Sequence, residues 1–133
     1  MRQTQPTRPI APTRLIALLV GADQELRALI ATLLEESEFD VIECDSAEAA
    51  LAVVAMKGDD MAMVVTDVAL AGRLDGVELA QNLEANRPDM PVIVMSADPS
   101  AGASELPDNV IRLGRPWRPL DMLIAAERAR RAA

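Results

Sequence analysis

Three nearly uninterrupted apolar runs constrain the fold of this chain more than any other feature of its sequence. They occupy residues 15–20, 61–66 and 91–96. A strand with one solvent-exposed face alternates apolar and polar residues, whereas a strand covered on both faces is apolar throughout. We therefore predict three central strands of a parallel sheet. Two shorter runs, at 41–44 and 110–113, predict two further strands.

Helical patterns separate these strands. Between residues 24 and 36 the apolar side chains recur every three or four positions, as they do on one face of a helix. Ser46 is a favourable N-cap for a helix that continues to about residue 57 and stops at Gly58. We predict further helices over 77–86 and 119–130. The residues spaced for one face of the last helix are Leu120, Leu123, Ile124 and Glu127.

Strands that alternate with helices over short connections predict an α/β fold, in which helices cover both faces of a parallel sheet. Two segments depart from this pattern. Residues 97–109 contain Pro99, Gly102 and Pro107, so any helix there is expected to be short or distorted. Residues 1–13 are rich in Pro, Thr and Arg, and we expect a flexible tail ahead of one folded domain over 14–131.

Composition excludes several functions. The 133 residues suffice for one domain with a buried core. With 21 acidic and 13 basic residues, the net charge of −8 repels nucleic acid backbones. Histidine is absent and Cys44 is the sole cysteine, which excludes His-based triads, most catalytic zinc sites and internal disulfides. No apolar run approaches the roughly 20 residues of a membrane span, and we expect a cytoplasmic protein.

Polar residues follow the predicted strands at the points where chemistry is expected. A doubly wound sheet binds its ligand outside the carboxyl ends of its strands. Asp67 ends an apolar strand, where an ionised carboxylate is costly unless it is paired or used. Ser96 follows the next strand and Arg115 the last one. The fold is expected to bring these three side chains together.

Three stretches resemble the receiver domains of bacterial two-component response regulators. They are VVTDVALAGRLDGVELA, PVIVMSAD and IRLGRPWRPLDML, and the resemblance extends over about residues 14–130. It implies a flavodoxin-like, doubly wound, five-stranded parallel sheet of order 2-1-3-4-5 in three αβα layers. It further implies a signalling phosphoprotein without enzymatic activity. In such a phosphorelay, Mg²⁺ assists transfer of a phosphoryl group to an aspartate from a histidine kinase or phosphotransfer protein.

The resemblance assigns roles to residues at the strand ends. Asp67 corresponds to the phosphoacceptor and to a metal ligand. Ser96 corresponds to the hydroxyl that binds the phosphoryl group, Ala97 to the small residue beside it, and Arg115 to the family's lysine. The resemblance also places an output surface for a downstream target protein at Arg112, Trp117 and Arg118. Met122 on the last helix is either part of that surface or part of the core, and homodimerisation through this face stays open.

Three departures from the family pattern affect function. The acidic pair that holds Mg²⁺ is replaced by Gly21 and Ala22. Asp23 follows them as either a helix N-cap or, after a one-residue slip at Gly21, a metal ligand, so we expect weak or absent Mg²⁺ binding. Arginine at position 115 is longer than the family's lysine and can form two hydrogen bonds at once. It either binds a phosphoryl group or pairs permanently with Asp67, and in the second case it depresses the pKa of that carboxyl. Arg112 replaces the usual switch aromatic.

Two functions remain open at this stage, and a third is disfavoured. The chain is either a receiver that accepts a phosphoryl group on Asp67 or a pseudo-receiver that binds proteins without phosphorylation. A nucleotide- or flavin-binding module on the same fold needs a glycine-rich phosphate loop. Residues 21–25 contain one glycine and two acidic residues, which would repel phosphate.

Overall fold

Five parallel strands form one sheet in the order β2-β1-β3-β4-β5, as the sequence predicts. The structure is a computed structural model, and it describes residues 15–96, 105–114 and 117–132. The strands are β1 Leu15–Val20, β2 Phe39–Cys44, β3 Met61–Asp67, β4 Val92–Ser96 and β5 Ile111–Gly114. The helices are α1 Gln24–Glu36, α2 Ala47–Lys57, α3 Gly76–Asn86 and α4 Pro119–Ala132. The flavodoxin-like fold class is thereby confirmed.

Helices cover both faces of the sheet, so the protein has three layers. Successive residues of β1 point to opposite faces, as the pleat of a strand requires. Leu18 packs into the core that faces α2 and α3, whereas Leu19 packs into the core that faces α1 and α4. Both side chains are completely buried. The central strands are apolar throughout because each contributes to both cores.

The helix starts follow the capping residues seen in the sequence. The Ser46 hydroxyl accepts a hydrogen bond from the backbone N–H of Ala49, which caps α2. Helix α2 ends at Lys57, and a short 3₁₀ turn over Gly58–Asp60 leads into β3. Asp75 and Glu78 form a reciprocal capping box at the start of α3. Strand β2 begins at Phe39, two residues before the expected position.

The predicted last helix is present, and the face that it buries differs from the one that carries Leu120 and Ile124. Leu120 and Ile124 are 56% and 52% exposed, whereas the buried face consists of Met122, Ala125, Ala126 and Ala129. Three of these four residues are alanines, and they pack into the core that faces α1 and α4. Met122 is fully buried and belongs to the core, which resolves the alternative left by the sequence.

Several sequence predictions fall outside the described residues. They are the tail over 1–13, most of the irregular segment 97–109, and the site residues Ala97 and Arg115. Among the described residues, no helix has the length and apolar character needed to cross a membrane.

Candidate functional site

Asp67 and Ser96 end two neighbouring strands at the same edge of the sheet. In the parallel register of β3 and β4, Asp67 pairs with Met95, so Ser96 lies one position further along. Both residues are partly buried. Strand β1 lies on the other side of β3, and the connections from β1 and β3 leave the sheet toward opposite neighbours. Asp67 therefore stands at the point where the strand order reverses, which is where doubly wound sheets bind ligands.

The backbone around Asp67 is packed so closely that the local sequence is restricted. A Cβ atom on Gly76 would overlap the carbonyl oxygen of Asp67 and lie 2.8 Å from the Cα of Val68. The N–H of Gly76 donates to the carbonyl of Val68 over 2.8 Å. The hydroxyl of Thr66, which is fully buried, donates to the Asp67 carbonyl over 2.9 Å. These contacts fix the peptide that carries the Asp67 side chain.

The loop between Asp67 and α3 is also attached to α2. A carboxylate oxygen of Glu48 accepts a hydrogen bond from the backbone N–H of Arg73 over 2.9 Å. Gly72 has φ +95°, and a Cβ there would lie 2.8 Å from the other Glu48 oxygen. Hydrogen bonds from the backbone N–H groups of Glu48 and Arg73 lower the pKa of the Glu48 carboxyl. A parallel bridge between Ser46 and Ala71 adds to this attachment.

Asp23 serves as the N-cap of α1, which was one of the two roles open for it. One of its carboxylate oxygens, Oδ1, accepts hydrogen bonds from the backbone N–H groups of Glu25 and Leu26 over 3.0 and 3.1 Å. Gly21 is held from both sides, since its N–H donates to the Cys44 carbonyl and its own carbonyl accepts from Arg27. These two hydrogen bonds hold Gly21 at the end of β1, while Asp23 caps α1.

Arg27 connects α1 to the ends of β1 and β2. Its Nη1 donates to the Gly21 carbonyl over 2.6 Å, and its Nε donates to a carboxylate oxygen of Glu43 over 2.9 Å. The Arg27 side chain is only 16% exposed, so this ion pair is partly shielded from water.

The Cys44 thiol lies at the end of β2. Burial is the main cause that raises the pKa of the Cys44 thiol, and Asp45 raises it further. The thiol is therefore protonated at neutral pH and is a weak nucleophile.

Asp67 and Asp23 line the same small cavity. Gly21, Arg27 and Met95 also contribute to its walls. The volume open to the centre of a water molecule is about 10 Å³, which is room for about one water. The structure thus brings together two of the predicted site residues, at the carboxyl ends of β3 and β1.

These residues are a poor match for Mg²⁺. The ion prefers octahedral oxygen coordination and usually takes one or two carboxylates together with phosphate. Gly21 and Ala22 offer no side-chain oxygen, and Asp23 already uses Oδ1 to cap α1. No group of three or more His, Cys, Asp or Glu residues suited to a metal occurs in the described part of the chain.

The residues predicted for an output surface lie on the side of the molecule formed by β5 and α4. Arg112 is exposed on β5, and Arg118 is exposed just before α4, where its backbone N–H donates to Asp121. Trp117 is half-buried and packs against the core between the sheet and α4.

Sequence reasoning missed four residues that shape this site. Thr66 and Glu48 carry no local motif, because a strand threonine and a helix-surface glutamate are ordinary residues. Arg27 lies six positions after the carbonyl that it binds. The need for glycine at position 76 becomes visible only when the Asp67 carbonyl is placed against it.

Comparison with known proteins agrees with this geometry. Residues 17–106 match the response regulator receiver domain family. The fold is similar to a response regulator receiver protein from Sinorhizobium medicae WSM419, with 22% identity, a TM-score of 0.83, and coverage of 91% of this chain and 98% of that one. The receiver domain of NtrX from Brucella abortus aligns with 23% identity and a TM-score of 0.76, over 88% of this chain and 99% of that one.

A third similar structure is a response regulator receiver domain protein from Clostridium thermocellum, with 20% identity and a TM-score of 0.80. The alignment covers 88% of this chain and 94% of that one. A search of curated proteins found no match. These structures share the flavodoxin-like fold of this chain. Because the family match covers most of its length, the chain belongs to the response regulator receiver domain family.

Proposed function

We propose that this receiver domain accepts a phosphoryl group on Asp67 and signals by contact with another protein. The observation that carries the proposal is the position of Asp67, a partly buried carboxylate at the reversal point of the strand order. Thr66 and Gly76 support it, because their contacts with the Asp67 carbonyl restrict the peptide that carries the side chain, and Glu48 attaches the loop that follows. Positioning of the reacting groups, together with electrostatic stabilisation, is what a protein contributes to phosphoryl transfer.

The step is a displacement at phosphorus. A carboxylate oxygen of Asp67 attacks the phosphorus atom and forms an acyl phosphate, while the bond from phosphorus to the donor breaks. The electron pair of that bond leaves with the donor, which is an imidazole of a histidine kinase or phosphotransfer protein, or acetate from acetyl phosphate. None of these 133 residues is a histidine, so a phosphohistidine donor lies outside them.

The proposed environment of the reacting group follows the family pattern at Ser96 and Ala97 and departs from it at Arg115, where the family has a lysine. We propose that Ser96 donates its hydroxyl to the phosphoryl group, that Ala97 leaves room for that group, and that the guanidinium of Arg115 neutralises its charge. Receiver domains generally bind Mg²⁺ at an acidic site. Here we propose that Asp67 and Asp23 hold the ion weakly or not at all, so that phosphorylation depends little on Mg²⁺. The cytoplasm is the proposed location.

A second candidate is a pseudo-receiver that binds its partner without phosphorylation. It is favoured by the replacement of the acidic pair by Gly21 and Ala22 and by the capping role of Asp23. The two functions differ in one observable property, which is the addition of a phosphoryl group to Asp67.

Intact mass spectrometry after incubation with acetyl phosphate tests the proposal. We expect one added phosphoryl group on the wild-type chain, with a similar yield in the presence and absence of Mg²⁺, and none on Asp67→Asn. The control is Asp60→Asn, an exposed carboxylate in the 3₁₀ turn before β3. No added mass on the wild-type chain, from either acetyl phosphate or a panel of phosphorylated kinases, would favour the pseudo-receiver.

A further inference from the structure

A cleft lies at the opposite end of the sheet from the proposed phosphoacceptor. Its walls include Val92 and Ile111, which begin β4 and β5, and Arg128 on α4. The cleft has a volume of about 380 Å³, which is within the size range of small-molecule sites. Asp67 and Ser96 lie at the other ends of their strands. The chemistry proposed for Asp67 therefore makes no use of this cleft.

Two opposite charges face the cleft without meeting each other. Asp89 and Arg128 both contribute to its walls, and no ion pair joins them. Neither side chain forms an ion pair or a hydrogen bond with any other residue in the described part of the chain. The cleft thus offers one cation and one anion, and both are available to a ligand.

A neighbouring cleft is different in this respect. It has a volume of about 340 Å³ and shares the wall formed by residues 88–91. Its arginine, Arg87, donates a hydrogen bond to a carboxylate oxygen of Asp59 over 2.7 Å. Because this cation already has a partner within the protein, the neighbouring cleft lacks the available pair of charges that Asp89 and Arg128 provide.

The wall that carries Asp89 is fixed by the backbone. Pro88 and Pro91 lie on either side of this segment, and the ring of each proline restricts its φ angle. The carbonyl of Pro91 accepts a hydrogen bond from the N–H of Val64 over 3.0 Å, and the N–H of Met90 donates to the Arg87 carbonyl over 2.9 Å. A wall that is already ordered lowers the entropic cost of binding.

The rest of the lining is largely apolar. Val92 is buried, and Pro91 and Ile111 are partly buried. Asn109 adds one amide group. Small-molecule sites typically combine apolar walls with a few polar groups that fix the orientation of the ligand. This lining favours a ligand that has an apolar body beside its charged groups.

We propose that this cleft binds a free aliphatic α-amino acid. Arg128 pairs with the carboxylate of the amino acid, and Asp89 pairs with its ammonium group. A guanidinium suits the first contact because it offers two parallel N–H donors to a carboxylate. The apolar walls contact the aliphatic side chain. This binding function goes beyond phosphorylation of Asp67 and does not depend on it.

Ligands with a single charge fit the cleft less well. A simple carboxylate that pairs with Arg128 also faces Asp89, and a simple amine that pairs with Asp89 also faces Arg128. Like charges that face each other are unfavourable. An α-amino acid carries both charges in one small head group, so it satisfies both residues at once.

NMR titration of the full chain with L-leucine tests the site. Two analogues are the matched probes, since 4-methylpentanoate lacks the ammonium group and 3-methylbutylamine lacks the carboxylate. We expect L-leucine at concentrations up to about 10 mM to shift the backbone amide signals of Asp89, Val92 and Ile111. We also expect it to bind at least about tenfold more tightly than either analogue.

Variants assign the two charges. Arg128→Gln and Asp89→Asn each remove one charge with little change in size, and each should weaken L-leucine binding about tenfold. The matched controls are Arg131→Gln and Asp60→Asn, which change exposed residues outside the cleft and should bind as the wild type does. The proposal is overturned if L-leucine shifts none of the three signals or if either analogue binds as tightly. It is also overturned if the two cleft variants lose no more affinity than their controls.

Discussion

The carboxylate of Glu48 on α2 accepts a hydrogen bond from the backbone N–H of Arg73, in the loop that follows Asp67. This contact joins two segments that are 25 residues apart in the chain. It also explains Gly72, where a side chain would be pressed against Glu48. A surface glutamate thereby helps to define the conformation of the loop behind the proposed phosphoacceptor.

We predict that this attachment is lost in acid. Backbone N–H groups lower the folded-state pKa of Glu48 below its ordinary value of 4.5. Stabilisation from a lowered pKa is fully present above the ordinary value and disappears as the pH falls through the folded-state pKa. The hydrogen-exchange protection factor of the Arg73 amide should therefore fall in that range. Glu48→Gln should make the protection independent of pH there, and an unchanged acid-induced loss in this variant would contradict the assignment.

Gly76→Ala should destabilise the protein by about 2–3 kcal/mol, because the added methyl group overlaps the Asp67 carbonyl oxygen and the backbone must shift. Urea denaturation measures the change. Gly21→Ala is the matched control, since no heavy atom lies within 4 Å of a Cβ built there. Equal losses of stability in the two variants would show that close packing against Asp67 is not the cause.

Asp23→Ala should cost about 1 kcal/mol of unfolding free energy, because the two N–H groups at the start of α1 lose their acceptor. Asp23→Asn keeps an oxygen that can cap the helix and should retain nearly all of the stability. The variant Asp23→Asn also distinguishes the capping role of Asp23 from a role as a metal ligand. Any contribution of Mg²⁺ to the phosphorylation rate should disappear in Asp23→Asn if the second carboxylate oxygen is a ligand, and should persist if it is not.

Gly21→Asp should create tighter Mg²⁺ binding. Gly21 lines the cavity that Asp67 and Asp23 share, and the space around its Cβ is open. A third carboxylate would supply the oxygen donor that the natural chain lacks, and we expect an affinity at least about tenfold higher by Mg²⁺ titration. Gly21→Asn adds a side chain of similar size without charge. If both variants leave the affinity unchanged, the missing donor is not what limits Mg²⁺ binding.

The fold could be predicted almost completely from the sequence, because buried central strands and capped helices leave strong local signals. The continuous apolar runs predicted β1, β3 and β4, and Ser46 predicted the start of α2. The spacing of Leu120, Leu123 and Ile124 predicted the helix α4 but not which of its faces is buried. Leu120 and Ile124 are exposed, and alanines form most of the buried face.

The candidate site was predictable where strand ends define it and unpredictable where distant segments meet. Asp67 and Ser96 followed from their positions after apolar strands. The sequence left two roles for Asp23, and only the backbone geometry of α1 showed the cap. Contacts of Glu48 with Arg73, and of Arg27 with Gly21, depend on how α1, α2 and the loops pack, which no local pattern encodes.

The most direct test of the central claim is to locate the phosphoryl group chemically. Borohydride reduces an acyl phosphate of aspartate to homoserine, which peptide mass spectrometry assigns to one position. After treatment of the wild-type chain with acetyl phosphate, we expect homoserine at position 67 and at no other acidic residue. The absence of homoserine at position 67, or its appearance at a different aspartate, would contradict the assignment of Asp67 as the phosphoacceptor.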